Sequence, residues 1–306
     1  MGNCIEKLHS ERGSLRAKSS ICMAWLTLGI LAFVASPSNL FAQGSTPGSQ
    51  TRAINLSTRL VVGTGNDVAI AGFIIGGSWP AVDLELLIRG IGPSLSSGGV
   101  PNPLGDPVLS INGKFANDNW RDIQEPFIIQ TGLAPPDDLE SALLAHFSFG
   151  NFTAILSGND NGGTGVGLVE IYNLEPGSTF KLLNISTRGL VGTGGDIVIV
   201  GFILGGGSND EIVLIRGLGP TLMFSDITNF LENPTLELRN SDGIAVASND
   251  DWETAPPVSL PPTYSMESSA IELPLSPGAY TALLSGVGNA AGIGLVEIYD
   301  LGPSVH

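Results

Sequence analysis

Beyond residue 50 the chain is written in short apolar runs punctuated by Gly, Pro, Asn and Asp. PTLELRN, residues 234–240, alternates strictly: Leu236 and Leu238 face one way, Thr235, Glu237 and Arg239 the other. That period of two predicts a half-buried strand. Residues 108–111 alternate in the same way. FTAILSG at 152–158 and YTALLSG at 280–286 are aromatic and β-branched runs closed by Ser-Gly. Residues 68–75 and 197–204 are almost continuously apolar, the pattern of a strand buried on both faces. No stretch of the chain after the first forty residues supports an amphipathic helix of three turns. Residues 137–146, DDLESALLAH, come nearest, and their counterpart later in the chain lacks the pattern. Strands at this spacing, divided by turn residues, predict an all-β sandwich or jelly roll.

The pattern is written twice. INLSTR at 54–59 recurs as LNISTR at 183–188, and VGTGNDVAIAGFIIGG at 62–77 recurs as VGTGGDIVIVGFILGG at 191–206. LIRGIGPSL at 87–95 returns as LIRGLGPTL at 214–222, and GLVEIY at 167–172 returns unchanged at 294–299. Each copy is a full domain's length and carries about eight strand segments, unlike the 20–50-residue unit of a solenoid. The expected organisation is two tandem β-sandwich repeats, residues 52–174 and 180–302. A polar lead-in, 43–51, precedes them, and a short hinge, EPGST at 175–179, divides them.

The first forty residues read as an address. Lys7, Arg12, Arg16 and Lys18 precede the apolar run ICMAWLTLGILAFVA, residues 21–35. At 1.5 Å per residue, fifteen residues cover about 22 Å, short of the ~30 Å hydrocarbon core. Ser36-Pro37 breaks the run, and Leu40-Phe41-Ala42 offers a cleavage site, so residues 1–42 read as a secretory signal peptide. The alternative is an uncleaved membrane anchor. Cleavage after Ala42 removes four of 13 basic residues and two of 29 acids, leaving 9 and 27 and a net charge of −18. It also removes both cysteines, Cys4 and Cys22, so the exported chain would fold without disulfides. The address implies a secreted, cell-surface or periplasmic protein of bacterial export. An acidic chain has no electrostatic reason to hold nucleic acid or an anionic membrane.

The tracts NPTLELRNSDGIAVASNDDW, 233–252, and MESSAIELPLSPGAYTALLSG, 266–286, resemble the bacterial pre-peptidase C-terminal domain. The shared features are an Asp-rich strand, a D-x-x-G turn, an N-D-D loop and a P-G-x-Y-T strand. Residues 106–120 and 149–158 are similar but eroded, with a shortened turn and no proline. The resemblance covers roughly the last two thirds of each copy. The N-[LI]-S-T-R and G-[IL]-G-P-[ST]-L blocks look instead like tandem repeats of secreted environmental-bacterial proteins. The resemblance implies an accessory β-sandwich of exported proteins, in some cases calcium-binding, assisting secretion or attachment. Such modules accompany a catalytic domain, and none is recognisable here.

Candidate chemistry is sparse. After cleavage no cysteine remains, and the histidines are His146 and the terminal His306. His146 has no counterpart in the second copy, and no G-x-S-x-G, H-E-x-x-H or Walker motif is present. Arg89 and Glu170, and again Arg216 and Glu297, sit once per copy in apolar strands. A buried glutamate needs a partner, which predicts the structural ion pairs Arg89–Glu170 and Arg216–Glu297. The other reading has Glu170 or Glu297 as the acid of a glycosidase. Calcium would suit the loops Asn117-Asp118-Asn119 and Asn249-Asp250-Asp251, with Asp67, Asp196 and residues 159–163 as further oxygen donors. The alternative is that these Asx residues buckle their own turns. Trp120 and Trp252 are candidate sugar platforms or ordinary rim and core residues, and Asn55, Asn151 and Asn184 lie in N-x-[ST] sequons.

Three functions stay open at this point. The first is a non-catalytic exported module binding extracellular polysaccharide or a cell-surface component through its loops. The second is a secreted hydrolase, and the third a ligand-free secretion or stalk spacer.

Overall fold

The computed structural model describes residues 50–77, 83–159, 163–257, 259 and 267–303. The apolar run 21–35, the cleavage site at Ala42 and most of the lead-in lie outside the described residues. Among the described residues no helix is long and apolar enough to cross a membrane.

The described chain is all-β, and its strands pair antiparallel, with two isolated parallel bridges, Pro103 to Val166 and Phe230 to Ile293, outside the ladders. The first repeat supplies β1 (Arg52–Val62), β2 (Ala69–Gly77), β3 (Leu84–Ile91), β4 (Pro107–Ile111), β5 (Phe115–Asn117), β6 (Ser141–Phe147), β7 (Gly150–Gly158) and β8 (Gly165–Asn173). The second supplies β9 (Phe180–Val191), β10 (Val198–Gly205), β11 (Glu211–Leu218), β12 (Pro234–Asn240), β13 (Ala245–Asn249), β14 (Ser269–Leu275), β15 (Gly278–Gly286) and β16 (Gly292–Pro303). The segment 137–146, nearest to a helical pattern in the sequence, ends in strand β6. One short helix, α1 (Glu125–Gln130), lies in the connection before it.

The strands line up in two long ladders. One runs β6-β3-β8-β1-β10-β15-β12-β13, the other β14-β11-β16-β9-β2-β7-β4-β5. Each ladder is therefore half first repeat and half second. The crossing points are the first strands of the two copies: β1 pairs with β10, and β9 pairs with β2. A single bridge, Val61 opposite Leu190, joins β1 to β9. Across the same seam the hydroxyls of Thr58 and Thr187, matching residues of the two S-T-R tracts, meet at 2.8 Å. This is the self-complementary geometry of a two-fold interface, formed within one chain.

The ladders pack face to face. Phe73 of β2 meets Phe147 of β6 edge-on at 5.6 Å and stacks on Phe152 of β7 at 5.3 Å. One core cluster takes Leu56, Leu86, Phe73 and Leu109 from the first copy and Phe202, Ile215, Leu236 and Ile298 from the second. The hinge segment 175–179 forms a turn, Ser178 N–H donating to Glu175 C=O at 2.9 Å. Arg52 Nη1 donates to Ser178 C=O at 2.5 Å and holds it to β1.

The copies differ on their outer faces. Every residue of β10 is buried, as a continuous apolar run predicts, whereas β2 leaves Ile70, Gly72 and Ile74 half-buried. The connection 118–140 of the first repeat accounts for part of this. It lays Trp120, Ile128 and Leu133 against Leu87, Tyr172, Ile54 and Ile203, covering the outside of β3, β8, β1 and β10.

Candidate functional site

Strand register builds the duplicated charge cluster. Arg89 of β3 stands opposite Glu170 of β8, and Arg216 of β11 opposite Glu297 of β16. A strand's side chains alternate, so Tyr172 and Tyr299, two residues beyond each glutamate, project to the same face. Arg89 Nε donates to Glu170 Oε2 at 2.8 Å, and its Nη2 donates to the same oxygen. Nη2 also reaches Tyr172 Oη at 3.0 Å, and the phenol donates to Glu170 Oε1 at 2.9 Å. Nη1 is capped by Leu133 C=O at 2.7 Å. The arginine and glutamate side chains are 4% and 1% exposed. Burial opposes the Arg89 charge, but Glu170, Tyr172 and Glu140 together outweigh it and raise the guanidinium pKa. Burial, then Glu170, pushes the Tyr172 phenol far above its ordinary value.

The second copy repeats the arrangement in looser form. Arg216 Nε and Nη2 donate to Glu297 Oε2 at 2.8 and 2.5 Å, Nη2 reaches Tyr299 Oη at 3.1 Å, and Tyr299 donates to Glu297 Oε1 at 3.1 Å. The side chains are 18% and 13% exposed. Among the described residues no carbonyl plays the part of Leu133.

The N-D-[ND]-W loops carry the same construction in both copies. Asn117 donates from Nδ2 to Asn119 C=O at 2.8 Å and accepts Ala142 N–H at 2.9 Å. Asn249 donates to Asp251 C=O at 3.0 Å and accepts Ala270 N–H at 2.9 Å. Both carboxamides buckle a turn and staple it to the neighbouring strand. Asp118 accepts from Asn159 at 3.4 Å, and Asp250 is exposed while Asp251 is half-buried. Asp67 and Asp196 lie exposed in the turns after β1 and β9. Among the described residues no three acids, histidines or cysteines gather as a metal would require. Residues 160–162 of the 159–163 tract, and His306, lie outside the described residues.

Trp120 is buried, its indole N–H donating to Asp137 C=O at 3.1 Å and its ring lying under Arg121 at 4.1 Å. Trp252 is half-buried. His146 is exposed on β6, 3.6 Å from Glu85. Asn55 and Asn184 are buried and donate to Ile171 and Ile298 carbonyls at 3.3 and 3.1 Å, which closes both sequons. Asn151 is exposed.

Three buried carboxylates, at two places, escaped the sequence reading. Glu140, wholly buried, ties the GPSL turn to β6: its Oε1 accepts Gly92 N–H at 3.1 Å, Ser94 N–H at 3.0 Å and Ser94 Oγ at 2.5 Å. Glu211 and Asp300 lie together at the seam. Asp300 accepts Lys181 Nζ at 2.8 Å and the Ala53 N–H of the other repeat at 3.2 Å. Burial and the neighbouring Asp300, opposed by Lys181, push the Glu211 carboxyl up to about 8. Where the first copy has Leu84 and Asn173, the second has Glu211 and Asp300, so no motif common to both copies announced the pair.

No family model matches the chain, and no curated protein matches it. A DUF4785 family protein from Legionella pneumophila subsp. pneumophila str. Philadelphia 1 is similar over 89% of this chain and 84% of its own, at 7% identity and a TM-score of 0.23. A likeness that low carries no argument about fold or activity.

Proposed function

We propose that the chain is an exported, non-catalytic protein of two tandem β-sandwich repeats, working outside the cell as a binding or surface module. The observation that carries this reading is the closure of the duplicated charged clusters. The glutamates that sequence alone offered to a glycosidase accept hydrogen bonds from an arginine on the neighbouring strand and a tyrosine on their own. A general acid needs a free proton near the scissile bond, and these carboxylates are engaged as acceptors. The resemblance to pre-peptidase C-terminal modules, the signal-like leader and the acidic charge support the same reading. The partner class is an extracellular polysaccharide or another cell-surface component.

The test is a cell-wall and glycan pull-down with residues 43–306, run beside an assay for released reducing sugar. Retention on polysaccharide without turnover is the expected result. Turnover that is lost in Glu170→Gln or Glu297→Gln would replace this reading with the hydrolase.

A further inference from the structure

The first repeat holds a carboxylate in a built receptor, and the second repeat keeps the receptor without the carboxylate. In the first copy Glu140 reaches into the turn that follows β3. Its carboxylate is held by the Gly92 and Ser94 N–H groups and the Ser94 hydroxyl, and Oε2 accepts Asp137 N–H at 3.2 Å. Successive backbone N–H groups in such a turn form an anion-binding concavity. The charge of Glu140 also acts on Arg89, three residues before Gly92.

The second copy has the same backbone. Gly92 sits at φ −145°, ψ −78° and Gly219 at φ −139°, ψ −73°. Leu95 N–H closes onto Gly92 C=O at 3.0 Å, and Leu222 N–H onto Gly219 C=O at 2.9 Å. Thr221 stands where Ser94 does. The residue matching Glu140 is fixed by register: Gly90 pairs with Ser141 and Gly217 with Ser269, so Glu140 corresponds to Ser268. The backbone agrees, since Trp120 N–H donates to Glu140 C=O at 2.9 Å and Trp252 N–H to Ser268 C=O at 2.8 Å.

Serine stops short of the turn. Ser268 is wholly buried, and among the described residues its Oγ has no hydrogen-bond partner; the Thr221 Oγ1 is likewise buried and finds none among them. The two orphaned hydroxyls stand at the positions of Ser94 and Glu140, which meet in the first copy, and a buried polar group left unpaired is unusual because it forfeits the hydrogen bond it had in water. Arg216 precedes Gly219 by three residues as Arg89 precedes Gly92, while the acid next to Ser268 in sequence, Glu267, is exposed.

We propose that the Gly219–Thr221 turn and Ser268 form a receptor for an external carboxylate, taking the place that Glu140 fills from within the first repeat. The ligand class is a small monocarboxylate. This inference stands apart from the proposed surface role and survives its failure.

The probe is acetate, exchanged against chloride at constant ionic strength, with thermal melting and isothermal titration as readouts on the 43–306 protein. Wild type should melt a few degrees higher in acetate. Ser268→Glu should melt higher than wild type in chloride and lose the acetate response, because the side chain supplies the missing group. Thr221→Val, which keeps the shape and removes the hydroxyl, should weaken acetate binding several-fold. No acetate response in wild type overturns the proposal. A response that persists unchanged in both variants also overturns it, since acetate would then act elsewhere. If Ser268→Glu folds poorly, the Thr221→Val titration decides alone.

Discussion

At the scale of single residues, the two Arg–Glu–Tyr clusters differ in one measurable way. Glu170 is sealed by the 118–140 connection, and Glu297 keeps some contact with solvent. Removing one partner of a buried ion pair costs about 3–5 kcal/mol, because the other charge is stranded. Glu170→Gln should therefore lower stability in urea by about that amount, and Glu297→Gln by clearly less. Equal losses would mean that burial does not set the difference. Glu211 makes a second prediction at this scale. Its carboxyl is raised from 4.5 to about 8, so between those values the folded chain holds a proton that the unfolded chain has released. The stabilising contribution is complete below about pH 4.5 and is lost as pH rises through 8. Melting temperature should fall over that window, and Glu211→Gln should flatten the fall.

At the scale of strands and turns, two of the matched blocks, 54–59 with 183–188 and 62–77 with 191–206, supply the strands that meet across the seam. Ser57 pairs with Gly201 and Ser186 with Gly72, each pair across repeats. A Cβ added at Gly201 or Gly72 would approach the facing serine Oγ to 2.6 Å. Gly201→Val should cost about 1–3 kcal/mol, as overpacking does, and Ser57→Ala should restore part of the loss; equilibrium unfolding of the single and double variants checks both. Turn chemistry gives another expected outcome. Since the Asn117 and Asn249 carboxamides are spent on their own loops and on β6 and β14, chelation of calcium should leave the melting temperature unchanged. Asn249→Ala should lower it. A chelator-dependent melt would reinstate a cation at these loops.

How much of this was legible follows from what each element depends on. Period-two alternation in 234–240 and the apolar runs at 68–75 and 197–204 gave strands close to their observed ends, because side-chain alternation is a local property. The Arg–Glu partners were readable because each copy writes both in apolar strands, where a lone charge is untenable. Glu140 was not readable, since DDLESALLAH displays helical spacing, and only its β6 pairing with β3 aims the carboxylate at a turn forty-odd residues back. Ladder exchange was equally hidden: repetition reveals that two units exist, but not which unit's β2 a given β1 will choose.

At the scale of the whole molecule, that choice decides what a half-chain can do. Residues 43–179 alone would carry β1 and β2 with their cross-repeat edges bare, and an unpaired edge recruits another strand. The expected product is a homodimer in which each β1 takes the other's β2, seen by light scattering at twice the monomer mass. A stable monomeric half would show that the seam is dispensable.

The seam has a further consequence. A two-fold assembly made from separate chains comes apart when diluted, since its halves must find one another at whatever concentration prevails. Here a six-residue tether between β8 and β9 fixes that encounter at a high local value. The paired state of this polypeptide is thus indifferent to how far its copies drift apart in an open volume.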